Sequence, residues 1–348
     1  MPASKPREEI TYEFPERPET GHVMQVTPGI LWLRMPLPFA LTHINLWLLE
    51  DDNGWAIIDT GVFKEESQKI WEQTFSDALG KHPVTRIFVT HLHPDHAGCA
   101  GWLTKKLGVE LLMSREEYLL CRILVADTGR PAPDTGIRFY ESAGYSPQDI
   151  EIYREMFGSF GEYVAPLPES YRRLKDGDLI SIGANAWEII IGRGHSPEHA
   201  CLYCADLNVF ISGDQLLPTI SSNVSVHPTE PAADPLSDWM ASLRELKDRI
   251  PEDVLVLPAH GKPFRGAHAR LDQLIDEHST GLAALQELCK EPKRAIDVFA
   301  ALFKSKITGT NLFFATGESI AHLNYLLNTG CMTVETDKSG VHWYQSAP

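Results

Sequence analysis

Short apolar runs separated by turn residues dominate the first hundred residues of the chain. Three runs have the length and the aliphatic and aromatic content of strands, and the polar turn 51–54 between the last two predicts a hairpin. The predicted elements are strands 30–35, 44–50 and 55–59, a helix over 63–79, a buried strand 85–90, and a helix over 97–108. Strands followed by alternating helices and strands indicate a layered domain that contains both.

Residues 114–165 follow a different pattern. They predict helices over 115–126 and 147–158, separated by a segment rich in glycine and proline at 129–136. Strands then return at 179–182, 186–191, 201–204 and 208–212, followed by a helix over 236–249 and a strand over 254–258. The segment 114–165 is therefore predicted to be a helical insertion between two β-rich halves. Its many aromatic side chains would either line a pocket or pack the insertion onto the body.

The two ends of the chain differ from the middle. Residues 1–21 are polar and rich in proline, which predicts an extended N-terminal arm before a domain over 22–265. After that domain the pattern predicts helices over 266–289, 293–303 and 316–328, then strands 331–336 and 341–345. Three helices and a hairpin predict a small winged-helix-like domain over 266–348.

Composition and charge narrow the function. With 43% hydrophobic and 22% charged residues, the chain has the composition of a globular protein. It carries 31 basic and 47 acidic residues, a net charge of −16, and the interval between Lys306 and Lys338 contains no lysine or arginine. Nucleic acid is therefore disfavoured as a partner. The scattered cysteines and the absence of an apolar leader or a membrane-spanning stretch predict a cytoplasmic protein with no membrane partner.

Candidate chemistry is concentrated directly after the predicted strand 85–90. The stretch Thr-His-Leu-His-Pro-Asp-His places His91, His93, Asp95 and His96 within six residues. Histidines two apart on an extended chain can point to the same side, whereas Asp95 and His96 open the next helix. One loop could thus serve two neighbouring metal positions.

Three further candidates each follow a predicted strand and stand beside a glycine: His195, Asp214 and His260. Imidazole nitrogen and carboxylate oxygen suit zinc, and imidazole also suits iron. We expect the remaining histidines that carry no such context to be structural or surface residues: His22, His43, His82, His268, His278 and His342. The sequence therefore predicts a metal site.

These residues resemble a known pattern. The stretch 90–96 is similar to the H-x-H-x-D-H signature of the metallo-β-lactamase superfamily, and His195, Asp214 and His260 match its later ligand positions in order. Asp59 lies in an Asp-Thr-Gly that resembles the aspartate motif preceding the signature. The resemblance spans about 25–265 and implies an α+β fold, the αβ/βα sandwich of two facing mixed sheets with helices outside. The C-terminal part resembles, more loosely, the winged-helix domain appended to some members.

The resemblance also implies roles. It implies that His91, His93 and His195 hold a first metal, that Asp95, His96 and His260 hold a second, and that Asp214 bridges both. The ions would be divalent, zinc foremost, with iron or manganese as other choices. Asp59 would either orient ligand imidazoles or satisfy the following turn. A hydroxide bridging the ions would be the nucleophile, and Asp95 would also steer or receive a proton, as a catalytic residue.

Several reactions run on this fold, so the metal site does not select one. The apolar insertion favours a thioester or ester substrate such as an acyl-CoA, a small-molecule acyl partner. The alternatives are a lactonase, an endoribonuclease, a persulfide dioxygenase with a single iron, and a non-catalytic winged-helix regulator. A homodimer is a further expectation from the appended domain.

Overall fold

Two β-sheets face each other in the computed structural model, which describes residues 9–39, 41–80, 82–304, 307, 309 and 311–347. The first sheet contains seven strands in sequence order, antiparallel from β1 to β4 and parallel from β4 to β7. Its strands are β1 Val23–Thr27, β2 Ile30–Pro36, β3 His43–Asp51, β4 Gly54–Ile58, β5 Val84–Phe88, β6 Glu110–Met113 and β7 Arg172–Arg173.

The second sheet is also mixed, but most of its strand pairs are antiparallel. Its order is β12-β11-β10-β9-β8, with only the β11–β12 pair parallel. Its strands are β8 Leu179–Ile182, β9 Asn185–Gly192, β10 His199–Cys204, β11 Val209–Gly213 and β12 Leu255–Pro258. The predicted pair of facing mixed sheets is therefore present.

A core of large side chains fills the space between the sheets. Trp32 and Trp47 of the first sheet and Trp187 of the second are at most 1% exposed. Burying each such side chain contributes about 1.5–3 kcal/mol or more. The sheets are also joined by Asn45, which accepts a hydrogen bond from Trp32 Nε1 (2.8 Å) and donates one to the carbonyl of Pro258 (2.8 Å). The bond to Pro258 lies at the end of β12, the strand that leads to the predicted ligand His260.

Helices cover the outer faces of both sheets. In chain order they are α1 Glu65–Asp77, α2 Pro94–Ala97, α3 Ala100–Leu107, α4 Arg115–Ala126, α5 Asp134–Ala143, α6 Pro147–Met156, α7 Pro235–Arg249, α8 Ala267–Leu288, α9 Phe299–Leu302 and α10 Asn311–Asn328. A final hairpin joins β13 Met332–Thr336 to β14 His342–Ser346. In the part of the chain described, no helix combines the length and the apolar character needed to cross a bilayer.

Strands β1, β6 and β7 are not predicted from the sequence, and two helical stretches also differ from the prediction. The insertion contains a further helix, α5, because Ile137, Phe139 and Tyr140 form a buried face that outweighs the glycine and proline signals just before it. The predicted helix 293–303 is instead a 3-10 turn at Ala295–Asp297 followed by the single turn α9. There the Asp297 carboxylate accepts a hydrogen bond from the amide of Arg294 (3.0 Å), which fixes a tight turn.

Aromatic rings of the insertion pack against the C-terminal part of the chain. Tyr140, Tyr145 and Tyr153 lie with ring centroids 5.3, 5.8 and 6.1 Å from that of Phe313 on α10. The hydroxyl of Tyr145 is 3.0 Å from that of Thr316. Of the two interpretations of the aromatic residues, packing therefore describes these rings.

The predicted N-terminal arm is described only from residue 9 onward. Its backbone pairs with the body where Thr11 and Arg265 exchange hydrogen bonds of 3.1 and 2.9 Å. Residues 1–8 of that prediction lie outside the described residues.

Candidate metal centre

All the predicted ligand residues follow strand ends at one edge of the two sheets. The 90–96 loop follows β5, whereas the downstream ligands follow β9, β11 and β12. Tight turns aim them inward: Gly194 has a φ of +100°, and a Cβ there would lie 2.5 Å from Cβ of Trp239. Only glycine allows this close approach directly before His195.

The first group of ligands, cluster 1, consists of His91, His93 and His195. Nε2 of His91 lies 2.9 Å from Nδ1 of His93 and 3.3 Å from Nε2 of His195. One carboxylate oxygen of Asp214, Oδ2, lies 3.4 Å from Nε2 of His195 and 4.0 Å from Nε2 of His91. These atoms converge on a volume that one metal ion would fill.

The second group, cluster 2, consists of Asp95, His96 and His260. Asp95 Oδ2 lies 3.7 Å from Nε2 of His96 and 3.2 Å from Nε2 of His260. Asp214 reaches this group as well, with Oδ2 3.6 Å from His96 Nε2 and Oδ1 3.5 Å from His260 Nε2. Asp214 therefore lies between the clusters, with both oxygens facing ligand atoms.

Hydrogen bonds on the outer side of the rings turn Nε2 of three histidines toward the centre. Nδ1 of His96 donates to Oδ2 of Asp59 (2.8 Å). In the same way, Nδ1 of His195 donates to the carbonyl of Asn223 (2.7 Å), and Nδ1 of His260 donates to the carbonyl of His43 (3.0 Å). Partners of this kind fix the tautomer and the orientation of a metal-binding imidazole.

Asp59 contacts a ligand imidazole, as the first of its two predicted roles requires, but its other bond goes to the loop after β5 and not to the turn that follows it. Besides contacting His96, its Oδ1 accepts a hydrogen bond from the amide of Thr90 (2.8 Å). Its own backbone is left-handed, with φ of +63°. Such a conformation costs about 1–3 kcal/mol in a residue other than glycine and is characteristic of functional sites.

The atoms at the centre fit a bound cation. Nε2 of His96 and Oδ1 of Asp214 are buried, and neither has a hydrogen-bond partner among the described residues. An unsatisfied buried polar atom costs about 1–3 kcal/mol. A divalent metal ion would satisfy these atoms, because neutral imidazoles and ionised carboxylates are its preferred donors.

The electrostatics of His91 and His93 agree with that assignment, whereas neighbouring carboxylates outweigh burial and raise the pKa of His96 and His260. Burial, reinforced by neighbouring imidazoles, lowers the pKa of His91 well below its usual value, and burial lowers the pKa of His93 to about 3. Both rings are thus neutral, with a lone pair free to coordinate. Burial opposes ionisation of Asp214, but the rings of His260 and His96 outweigh it and lower its pKa.

Two residues that the sequence reasoning missed support the ligand loops. Glu117 on α4 is fully buried, and its two carboxylate oxygens accept hydrogen bonds from the amides of Leu92 (2.9 Å) and Glu198 (2.8 Å). His199 accepts a hydrogen bond from the amide of Asp214 at Nε2 (3.0 Å), and its ring stacks on that of His91 at 4.7 Å. Neither residue lies in a motif, and only their buried position reveals them.

A two-sheet α+β sandwich with a histidine and aspartate centre at one edge defines a metallo-hydrolase. The chain belongs to the metallo-β-lactamase superfamily, whose family model matches residues 40–261. The metallo-β-lactamase-like C-terminal domain model matches residues 282–347. The enzyme class and the divalent metal expected from the sequence resemblance are thus supported, together with a small C-terminal domain.

Individual proteins agree with this assignment. A β-lactamase domain protein from Burkholderia ambifaria has a crystal structure that is 38% identical, covers 97% of both chains and superposes with a TM-score of 0.88. The chain is 24% identical over 311 residues to the probable metallo-hydrolase YqjP of Bacillus subtilis, covering 86% of this chain and 92% of that protein. It is 21% identical over 245 residues to the human acyl-coenzyme A thioesterase MBLAC2, covering 68% of this chain and 79% of that protein.

Proposed function

We propose that this protein is a dinuclear metal-dependent hydrolase of thioesters or esters, with acyl-CoA-like compounds as the first substrate class to test. The observation that carries the dinuclear part is the position of Asp214. Its Oδ2 lies 3.4 Å from a ligand nitrogen of cluster 1, and its Oδ1 lies 3.5 Å from a ligand nitrogen of cluster 2. A carboxylate so placed would bridge two ions, for which zinc is the first choice.

The chain's own residues would divide the chemistry. The ligands of the two clusters would hold the ions, whose chemistry would be to lower the pKa of a bound water toward neutral and to polarise the acyl oxygen. Asp95 lies 3.2 Å from His260 and is partly accessible, so it can orient that water and take up a proton. Burial opposes its ionisation, but the His96 and His260 rings outweigh burial and lower its pKa, which keeps the carboxylate ionised and able to bind an ion.

Exposed apolar side chains lie close to the residues that support two of the ligand histidines, and they favour an acyl substrate. Phe39 and Leu41, 42% and 43% exposed, immediately precede the strand whose first residue supplies the carbonyl for His260. Ile220 and Phe314, 40% and 60% exposed, flank Asn223, the residue that supplies the carbonyl for His195. A contiguous apolar surface near a site often marks where an apolar ligand binds. The thioesterase name of the human relative points to the same class.

The direct test measures thiol release from acyl-CoA thioesters of increasing chain length, with aryl esters, lactones and an alkyl sulfate in the same panel. His91→Ala serves as the matched control, because it removes a ligand without touching the apolar residues. We expect release that depends on chain length and disappears in the control. A protein loaded with two ions that releases no thiol and cleaves no ester would contradict the proposal.

Metal content separates this proposal from persulfide oxidation. A persulfide dioxygenase of this fold would need a single iron, whereas cluster 2 offers three further donor groups close to cluster 1. We therefore expect about two divalent ions per chain and no oxygen uptake with a persulfide. One iron per chain together with oxygen uptake would favour the dioxygenase.

A further inference from the structure

We propose that helix α10 of the C-terminal part completes cluster 1, with Glu318 as the positioning residue that fixes His195 through Asn223. This inference rests on the proposed metal centre but on no particular substrate. It assigns to the C-terminal part a role in positioning one of the metal ligands.

A continuous series of hydrogen bonds joins α10 to the ligand. Nδ1 of His195 donates to the main-chain carbonyl of Asn223 (2.7 Å). The side-chain amide of the same Asn223 donates to Oε2 of Glu318 (2.7 Å) and, at 3.4 Å, to the carbonyl of Phe314. Two successive bonds thus separate Glu318 from a ring that faces the metal.

The segment that carries Asn223 needs this outside support. Between β11, which ends at Gly213, and α7, which begins at Pro235, all residues are described and none belongs to a helix or strand. A chain of this kind has no ladder of main-chain hydrogen bonds to fix a carbonyl in place. Its position must come from side chains and from neighbouring elements.

Helix α10 provides that support at very close range. The amide of Val226 donates to the carbonyl of Gly317 (3.0 Å). A Cβ on Gly317 would lie 2.7 Å from Oγ and 2.9 Å from Cβ of Ser225. The helix backbone therefore lies directly against residues 225–226, and only glycine at 317 allows it.

The role of Glu318 as an acceptor does not depend on its charge. Burial raises the pKa of Glu318 to about 7, and a carboxyl oxygen accepts the amide hydrogen of Asn223 in either protonation state. Glu318→Gln keeps an acceptor oxygen at this place, whereas Glu318→Ala removes it. The two substitutions therefore separate positioning from a simple effect of charge.

The test measures the affinity of each cluster with Co²⁺ as the probe, by competition with a chelator and by the visible absorption of the bound ion. The full-length chain is used with Glu318→Ala, Glu318→Gln and, as a matched control on the same helix, Asn328→Ala. Asn328 bonds Asp234 (2.9 Å) and does not bond the 223–226 segment. Loss of a partner that orients a metal-binding histidine typically costs about ten- to a hundredfold in affinity.

We expect Glu318→Ala to lower the affinity for one of the two ions by about ten- to a hundredfold. The affinities of Glu318→Gln and Asn328→Ala should stay close to those of the parent. A second pair of variants tests whether the effect passes through the Asn223–Glu318 bond. Asn223→Ala should lower the metal affinity by the same factor. The double variant with Glu318→Ala should lower it little further, because both substitutions remove one bond. Equal binding of both ions by parent, Glu318→Ala and Asn223→Ala would overturn the inference. A parent that fails to bind two ions would instead overturn the proposed function.

Discussion

The two ligand clusters are supported by different parts of the molecule. In cluster 2, His96 is held by Asp59 just after β4, and His260 is held by the carbonyl of His43 at the start of β3. Both partners belong to the first sheet. In cluster 1, the loops are joined by Glu117 of the insertion, and His195 depends on a carbonyl that lies against α10.

This difference indicates how parts added to a fold can act on its chemistry. The partners that orient the cluster 2 histidines both lie at strand ends of the first sheet. Cluster 1 depends in addition on one side chain from the insertion and one from the C-terminal part. In the proposed dinuclear centre, changes in those two parts should alter the affinity of one metal position more than that of the other.

Asp214→Ala should have the largest effect, because this carboxylate lies close to ligand atoms of both clusters. Its loss should disturb cluster 1 and cluster 2 together. We expect loss of at least one ion and a fall in kcat/KM of about a thousandfold or more, which corresponds to about 4 kcal/mol. Metal analysis and kinetics on the purified variant measure both quantities. Retention of two ions and full activity would show that Asp214 is not a bridging ligand.

Asp59→Asn should affect cluster 2 more than cluster 1, because Asp59 bonds His96 directly and reaches His91 only through Thr90. The amide can still accept from His96 Nδ1 but without the negative charge, so the hydrogen bond is weakened by roughly half. We expect about tenfold weaker binding of one ion and a smaller change in the binding of the second. Stepwise titration with Co²⁺ measures the affinities for the two ions separately. Equal weakening of both ions would mean that the clusters do not have separate supports.

Glu117→Gln should affect cluster 1 and the stability of the chain together. The amide group replaces one of two acceptor oxygens, so the amide of Leu92 or Glu198 loses its partner in a buried place. We expect a loss of about 1–3 kcal/mol in the free energy of unfolding. Chemical denaturation measures it, with Glu116→Gln, on the exposed side of the same helix, as the control. If Glu117→Gln were as stable as the control, Glu117 would not stabilise the chain through the amides of Leu92 and Glu198.

Phe314→Ala should have the smallest effect and should leave both clusters intact. The side chain is 60% exposed, so we expect a change in stability within about 0.5 kcal/mol. If it contacts an acyl chain, KM should rise for long thioesters and not for acetyl-CoA. Val334→Ala, also exposed but on the final hairpin, is the control. The same KM for every chain length would place the acyl chain elsewhere.

The ligands could be predicted from sequence because their signals are local. Each one follows an apolar run, and four of them share the 90–96 stretch. The supporting residues carry no such signal. Glu117 looks like any acidic residue in the first turn of a helix, and Glu318 meets Asn223 across 95 positions of sequence. Whether aromatic rings line a pocket or pack on α10 is likewise decided by tertiary contacts, which residue type does not encode.

The bond between His260 and the carbonyl of His43 joins positions 217 apart, and the Asn45 bond that links the sheets joins positions 213 apart. Closing such long loops costs chain entropy before the contacts that offset this cost have formed. We therefore expect these long-range hydrogen bonds to form late in folding. A nascent chain therefore carries every histidine of the 90–96 stretch long before it can hold an ion with native geometry. Metal capture is consequently linked to global folding, and a chelator should lower the melting temperature of the whole chain rather than loosen one loop.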